Sequence, residues 1–139
     1  MAVLARFVSF GEGWLLTVPV MLNSVPTWYR FAIHTGTVHA AVSDGVIKAL
    51  NLEPTAGYSM VLDPQMGRLL REPQCRIESL VLRSVDDRAI GTPYVYAVRL
   101  GWASELEIDG VLGTQWLRQE FGRLDLDLVT PSVELHRRG

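Results

Sequence analysis

His34 and His39 stand five residues apart in the run Phe31-Ala32-Ile33-His34-Thr35-Gly36-Thr37-Val38-His39. An imidazole titrates near pH 6.5, about the middle of the physiological range, so it serves as a base, a proton shuttle or a metal ligand. Two chains meeting about one axis would bring four imidazoles together, a donor set that zinc accepts. The five-residue spacing across a turn is not a defined ligand motif, however, and no metal or other cofactor is expected. Carboxylates are the other candidate chemistry. Asp109, Asp125 and Asp127 read as turn and edge-strand residues, because the alternation of Asp125 and Asp127 puts both on one solvated face. Asp86-Asp87 reads as a hairpin turn. Cys75 neighbours Arg76, but no histidine pairs with it, and a buried structural thiol is the expectation.

The elements that must position these groups are mostly strands. Apolar runs rich in Val, Leu, Tyr and Trp recur between Gly, Pro, Asn and Asp, over residues 3–10, 14–22, 28–33, 76–83, 94–100, 123–128 and 132–136. Such spacing predicts an all-β domain, a small sandwich or barrel, with two short helices. Ser43 is placed to cap a helix over residues 44–50, whose Val46, Ile47, Ala49 and Leu50 share a face. Thr114 is placed to cap a second over residues 115–121, with Gly122 as a left-handed stop. Trp14, Trp28, Trp102 and Trp116 are expected in core or interface packing.

Composition narrows the class. The 139 residues suit one domain spanning the chain, and no apolar run approaches the roughly 20 residues that cross a bilayer. A net charge of -2 gives no electrostatic case for nucleic acid. The single cysteine excludes an intrachain disulfide, and the N-terminus lacks the order of a secretory signal, so a cytoplasmic protein is expected.

Two blocks of sequence together resemble the retropepsin-like aspartic proteases. Phe31 to Ser43, followed by the helix ending at Leu50, is similar to the family's apolar strand, Asp-Thr-Gly-Ala turn, second short strand and serine-capped helix. His34 stands at the position of the catalytic aspartate. Ile108-Asp109-Gly110-Val111-Leu112-Gly113, the helix with Trp116 and Leu117, and the last two apolar runs are similar to the family's apolar-apolar-Gly segment, helix and closing strands. About 75 residues separate the blocks, room for a flap hairpin whose tip would be Asp63-Pro64-Gln65-Met66-Gly67. The resemblance covers roughly Trp14 to His136.

It implies a retropepsin-like β-barrel, a homodimer and a peptide cleft. His34, Thr35 and Gly36 would occupy the catalytic turn. Thr37, His39, Met66, Gly67, Val111, Leu112 and Gly113 would line the cleft or frame it. The family's chemistry needs two carboxylates that share one proton, because like charges so close do not both ionise. Two facing imidazoles share no such proton. Other departures are Thr37 where the family has Ala, Val38 and His39 where cleft-lining polar groups are common, and Gln115 where many bacterial members have Asp. The leading expectation is a catalytically silent relative that keeps the fold and a cleft for a peptide or protein ligand. The alternative is an active endopeptidase, with Asp at position 34 of the natural protein or with His34 activating water.

Overall fold

The computed structural model describes residues 2–10, 13–34, 38–63, 67–83, 89–92, 95–99, 107–129 and 132–138. Twelve strands and two helices follow in the order β1 (Ala2–Phe10), β2 (Gly13–Leu22), β3 (Tyr29–Ile33), β4 (Ala40–Val42), α1 (Asp44–Ala49), β5 (Pro54–Asp63) and β6 (Arg68–Ile77), then β7 (Leu80–Arg83), β8 (Ala89–Thr92), β9 (Val95–Arg99), β10 (Gly110–Leu112), α2 (Thr114–Glu120), β11 (Phe121–Asp127) and β12 (Ser132–Arg137). The expected β class holds. One sheet runs β11-β12-β1-β2-β3-β10-β4-β9-β6-β5, and β7 branches from β2 to pair with β8.

Nine of the eleven pairings among the described strands are antiparallel; the two parallel ones join strands far apart in sequence. β10 pairs parallel with β3, Leu112 opposite Ile33, and antiparallel with β4, Gly110 opposite Val42. β4 in turn pairs parallel with β9. A three-residue strand from late in the chain is thus inserted between two early strands. The insertion leaves no room for a side chain at Gly110 or Gly113. A Cβ on Gly110 would lie 2.5 Å from the carbonyl oxygen of Ala41 and 2.5 Å from the Phe31 ring, and one on Gly113 would lie 2.4 Å from the carbonyl of His39. Only glycine lets backbones approach this closely.

The inserted strands divide two apolar clusters. The larger joins Val18, Val20, Leu22, Phe31, Val42, Val46, Ile77, Leu80, Leu82, Leu112, Trp116, Val133 and Leu135. Ala32, Ala41, Val98, Ile108 and Val111 form a smaller cluster on which Val61 of β5 packs. Alternation along β3 and β10 feeds both, since successive side chains point to opposite faces.

Local expectations fare unevenly. Ser43 caps α1, its Oγ accepting from Val46 N at 3.2 Å. Thr114 does not cap α2. Gly113 is the N-cap, with no side-chain bond, and Gln115 N donates instead to Val38 O at 3.0 Å. Gly122 is not a left-handed stop either. The helix runs through an extended Phe121 straight into β11, and Gly122 sits in the register shift between Phe121 and Arg123. The apolar run 76–83 is two strands, not one. Asn23 Oδ1 accepts from Glu78 N at 2.8 Å and from Ser79 N at 3.3 Å, which takes those groups out of the ladder and sends β6 to β9 and β7 to β2. Asp86-Asp87 lies outside the described residues, although the strands around it pair as a hairpin. Trp116 is buried edge-on against Phe121, centroids 5.6 Å apart, while Trp28 lies on the surface under the Arg83 guanidinium. Trp102 and the Trp14 side chain lie outside what is described.

Gly110→Ala drives a methyl group into a backbone carbonyl and a buried ring, and is expected to cost about 2–3 kcal/mol, the upper range of overpacking. Urea unfolding measures the loss. Gly122→Ala, where the nearest atom to a Cβ is the Arg138 Cγ at 3.7 Å, is the matched control with little change.

Candidate functional site

The insertion of β10 builds the frame around His34. Phe31, Ala32 and Ile33 are buried, and His34 is the first exposed residue beyond β3. Its N–H donates to Leu112 O at 3.1 Å, so β10 fixes where the turn begins. On the far side of the turn, Val38 O accepts from Gln115 N, and Gly113 lies under the Val38 and His39 carbonyls. The chain on either side of residues 35–37 is therefore held by β10 and its junction with α2. Thr35, Gly36 and Thr37 lie outside the described residues. Val111 and Leu112 are buried, one in each cluster.

His39 reaches across to the long β5–β6 hairpin. Its Nε2 lies 3.2 Å from the carbonyl oxygen of Met60, so the ring donates from that nitrogen. The hairpin pairs from Asp63 opposite Arg68 down to Tyr58 opposite Pro73, and Gly67 enters β6 with φ +64°, a left-handed residue that turns the chain. Met66 and its neighbours at the tip lie outside the described residues. β5 ends the sheet path, so the outer edge of the hairpin strand nearest His39 has no partner strand among the described residues.

The carboxylates serve elsewhere. Asp109 Oδ2 accepts from Arg30 N at 2.8 Å, its N–H donates to Arg30 O at 2.8 Å, and its carbonyl accepts from Ser43 N at 2.8 Å. It clips β3, β10 and α1 together at the end of β3 remote from His34, about 13 Å away at some 3.3 Å per strand residue. Asp125 and Asp127 lie on exposed β11. Asp125 meets His136 Nε2 at 3.0 Å and Arg123 Nε at 3.1 Å, and Glu134 meets the same His136 nitrogen at 3.4 Å. The three potential ligand residues Asp125, Glu134 and His136 gather here, but the Arg123 guanidinium already supplies the positive charge, and the group is a surface ion-pair network.

No protein-family model matches the sequence, and no curated protein matches it closely. Solved structures do match the architecture. A retropepsin-like aspartic protease from Rickettsia conorii superposes with a TM-score of 0.62 at 15% identity, over 97% of this chain and 90% of that one. The retroviral protease-like domain of Ddi1 from Leishmania major gives a TM-score of 0.50 at 13% identity, over 90% of this chain and 94% of that one. The fold is the retropepsin-like one. Identities this low carry architecture and not chemistry.

In that retropepsin-like frame, the residue that sequence reasoning missed is Met60. It contributes a main-chain carbonyl, which leaves no side-chain signature. Cys75 is buried in β6, and burial pushes its thiol above the ordinary range, which makes it a weak nucleophile. Ellman's reagent at pH 8 should therefore titrate Cys75 only after urea is added. His39→Ala should release the hairpin from the turn. Amide hydrogen exchange across residues 58–63 is expected to accelerate several-fold, with a global stability loss of only about 1 kcal/mol, the net worth of one hydrogen bond.

Proposed function

We propose that this chain uses the retropepsin-like fold to hold an extended peptide segment between the His34 turn and the β5–β6 hairpin, as a homodimer, without hydrolysing it. The observation that carries this reading is His34 itself. It emerges exposed where β3 ends, anchored by Leu112 O, with the two glycines of the β10 region shaping the approach. By resemblance this is the place of the catalytic aspartate. An extended ligand suits the neighbourhood, because an unpaired strand edge offers main-chain donors and acceptors to a peptide in the same conformation. The His39–Met60 bond supports the role of the hairpin by drawing it over the turn.

Silence follows from proton chemistry. The family's pair of carboxylates holds one proton between two oxygens, which positions a water and then protonates the leaving nitrogen. Imidazoles facing each other across a two-fold repel when both are protonated, and neither offers a carboxylate. Asp109, the acid nearest along the frame, is held by the Arg30 N–H.

The test is cleavage of a peptide library read by mass spectrometry between pH 3 and pH 7. The His34 chain should give no product above background. His34→Asp should restore measurable cleavage, partial because Thr37 and Gln115 also depart from the family pattern. Robust cleavage by the His34 form in the presence of chelators would overturn the reading. Cleavage that chelators abolish would point to metal held by His34 and His39, the latter giving up its bond to Met60 or turning its other nitrogen to the ion.

A further inference from the structure

We infer that the cleft between α2 and Arg138 binds a small organic anion with two negative charges, held by the guanidinium groups of Arg118 and Arg138. The inference does not depend on the peptide reading of the His34 turn.

The cleft has a volume of about 670 Å³. That is the size of a site that encloses a small organic molecule. Gln115, Arg118 and Gln119 of α2 line it, with Arg138 from beyond the end of β12, and Val38 and Phe121 add apolar surface. Its charge is one-sided. Arg118 and Arg138 are cationic, and no acidic residue lines the cleft. Glu120, the next acid along α2, meets Arg137 Nη2 at 3.5 Å instead. Among the described residues no carboxylate pairs with the guanidinium of Arg118 or of Arg138. The whole chain carries a net charge of -2, so this concentration of positive charge runs against the overall balance. Two like charges facing one cleft repel, and an anion between them offsets that cost.

Arg138 is held ready for such a ligand. Its main-chain N–H donates to Glu120 O at 3.4 Å, and its Nη1 donates to Arg118 O at 3.1 Å. The second bond brings one guanidinium beside the backbone of the residue that carries the other. It occupies one nitrogen of a fork that has five N–H donors. A side chain fixed in advance loses little conformational freedom when a ligand arrives.

The lining selects the chemistry of the occupant. A guanidinium offers planar pairs of N–H donors that match a carboxylate or a phosphate two at a time. Two such forks on one cleft suit two negative charges better than one. The Gln115 and Gln119 amides offer neutral donors and acceptors to hydroxyl or carbonyl groups, and Val38 and Phe121 suit a short carbon skeleton. A phosphomonoester and a dicarboxylate share these features.

Titration calorimetry at about pH 7.5 and fixed ionic strength tests the inference, with inorganic phosphate, succinate and acetate as probes. Phosphate, succinate or both should bind saturably, at least about tenfold more tightly than acetate. The tighter of the two names the source of the dianion. Arg118→Gln and Arg138→Gln should each weaken that binding at least about tenfold, the loss of a hydrogen bond to a charged group. Arg71→Gln removes the same charge from the exposed hairpin, where Arg71 lies 4.0 Å over the Tyr58 ring, and should bind as the unaltered chain does. All three arginines are exposed, so the variants should keep the circular dichroism of the unaltered chain. In the unaltered chain, the Nε–H resonances of Arg118 and Arg138 should shift on titration while that of Arg71 stays, a readout that needs no variant. Absence of saturable binding by both phosphate and succinate overturns the inference. So does equal binding of acetate. So does an equal loss in Arg71→Gln, which reports net charge and not a site.

Discussion

Gly110, Val111 and Leu112 lie between β3 and β4 as a strand bonded on both sides, and nearly every other feature is anchored to that insertion. It closes the gap between two strands that would otherwise expose their edges. It sends Leu112 to the larger cluster and Val111 to the smaller. It supplies the carbonyl that holds His34 N and the glycine over which Val38 and His39 pass. Asp109 then ties the start of β10 to β3 and α1 with two main-chain bonds and one accepted by its carboxylate. Removing a side chain at Gly110 and Gly113 is the steric condition for all of it.

The site is accordingly a property of backbone more than of side chains. Leu112 O, Val38 O and Met60 O all accept bonds that fix the turn or the hairpin. A frame of this kind tolerates wide changes in sequence, since any residue supplies a carbonyl. This fits an architecture shared at 13–15% identity with the two solved structures. It also means that the frame survives whatever stands at position 34. Geometry and chemistry can part company in a frame of this kind.

What could be read from the sequence was what is local. Ser43 capped its helix as expected because the cap is made three residues away. The hairpin of β5 and β6 is absent from the apolar runs and was expected only through the resemblance, and Gly67 in it turned out left-handed. The class was legible from the recurrence of short apolar runs. The three-residue β4 and β10 were not legible as strands, since three residues show no period, and their pairing joins parts of the chain about 75 residues apart. The failure at Thr114 has the same origin. The helix start is satisfied by Val38 O from a distant segment, which makes a side-chain cap unnecessary. Likewise Asn23 splits the run 76–83 through bonds made 55 and 56 positions away. Resemblance to a known family reached further than periodicity at these places, because it carries the memory of long-range pairing that composition lacks.

The insertion also sets an order of events during synthesis. β3 and β4 leave the ribosome long before β10, and β1 long before β12, its partner. Until residues 110–112 are made, the gap between β3 and β4 stays open and the larger cluster lacks Leu112, Trp116, Val133 and Leu135. Residues 1–100 alone therefore leave strand edges unpaired and the core without about a third of its buried residues, a state prone to self-association. The native sheet is complete only once β10 and β12 are made.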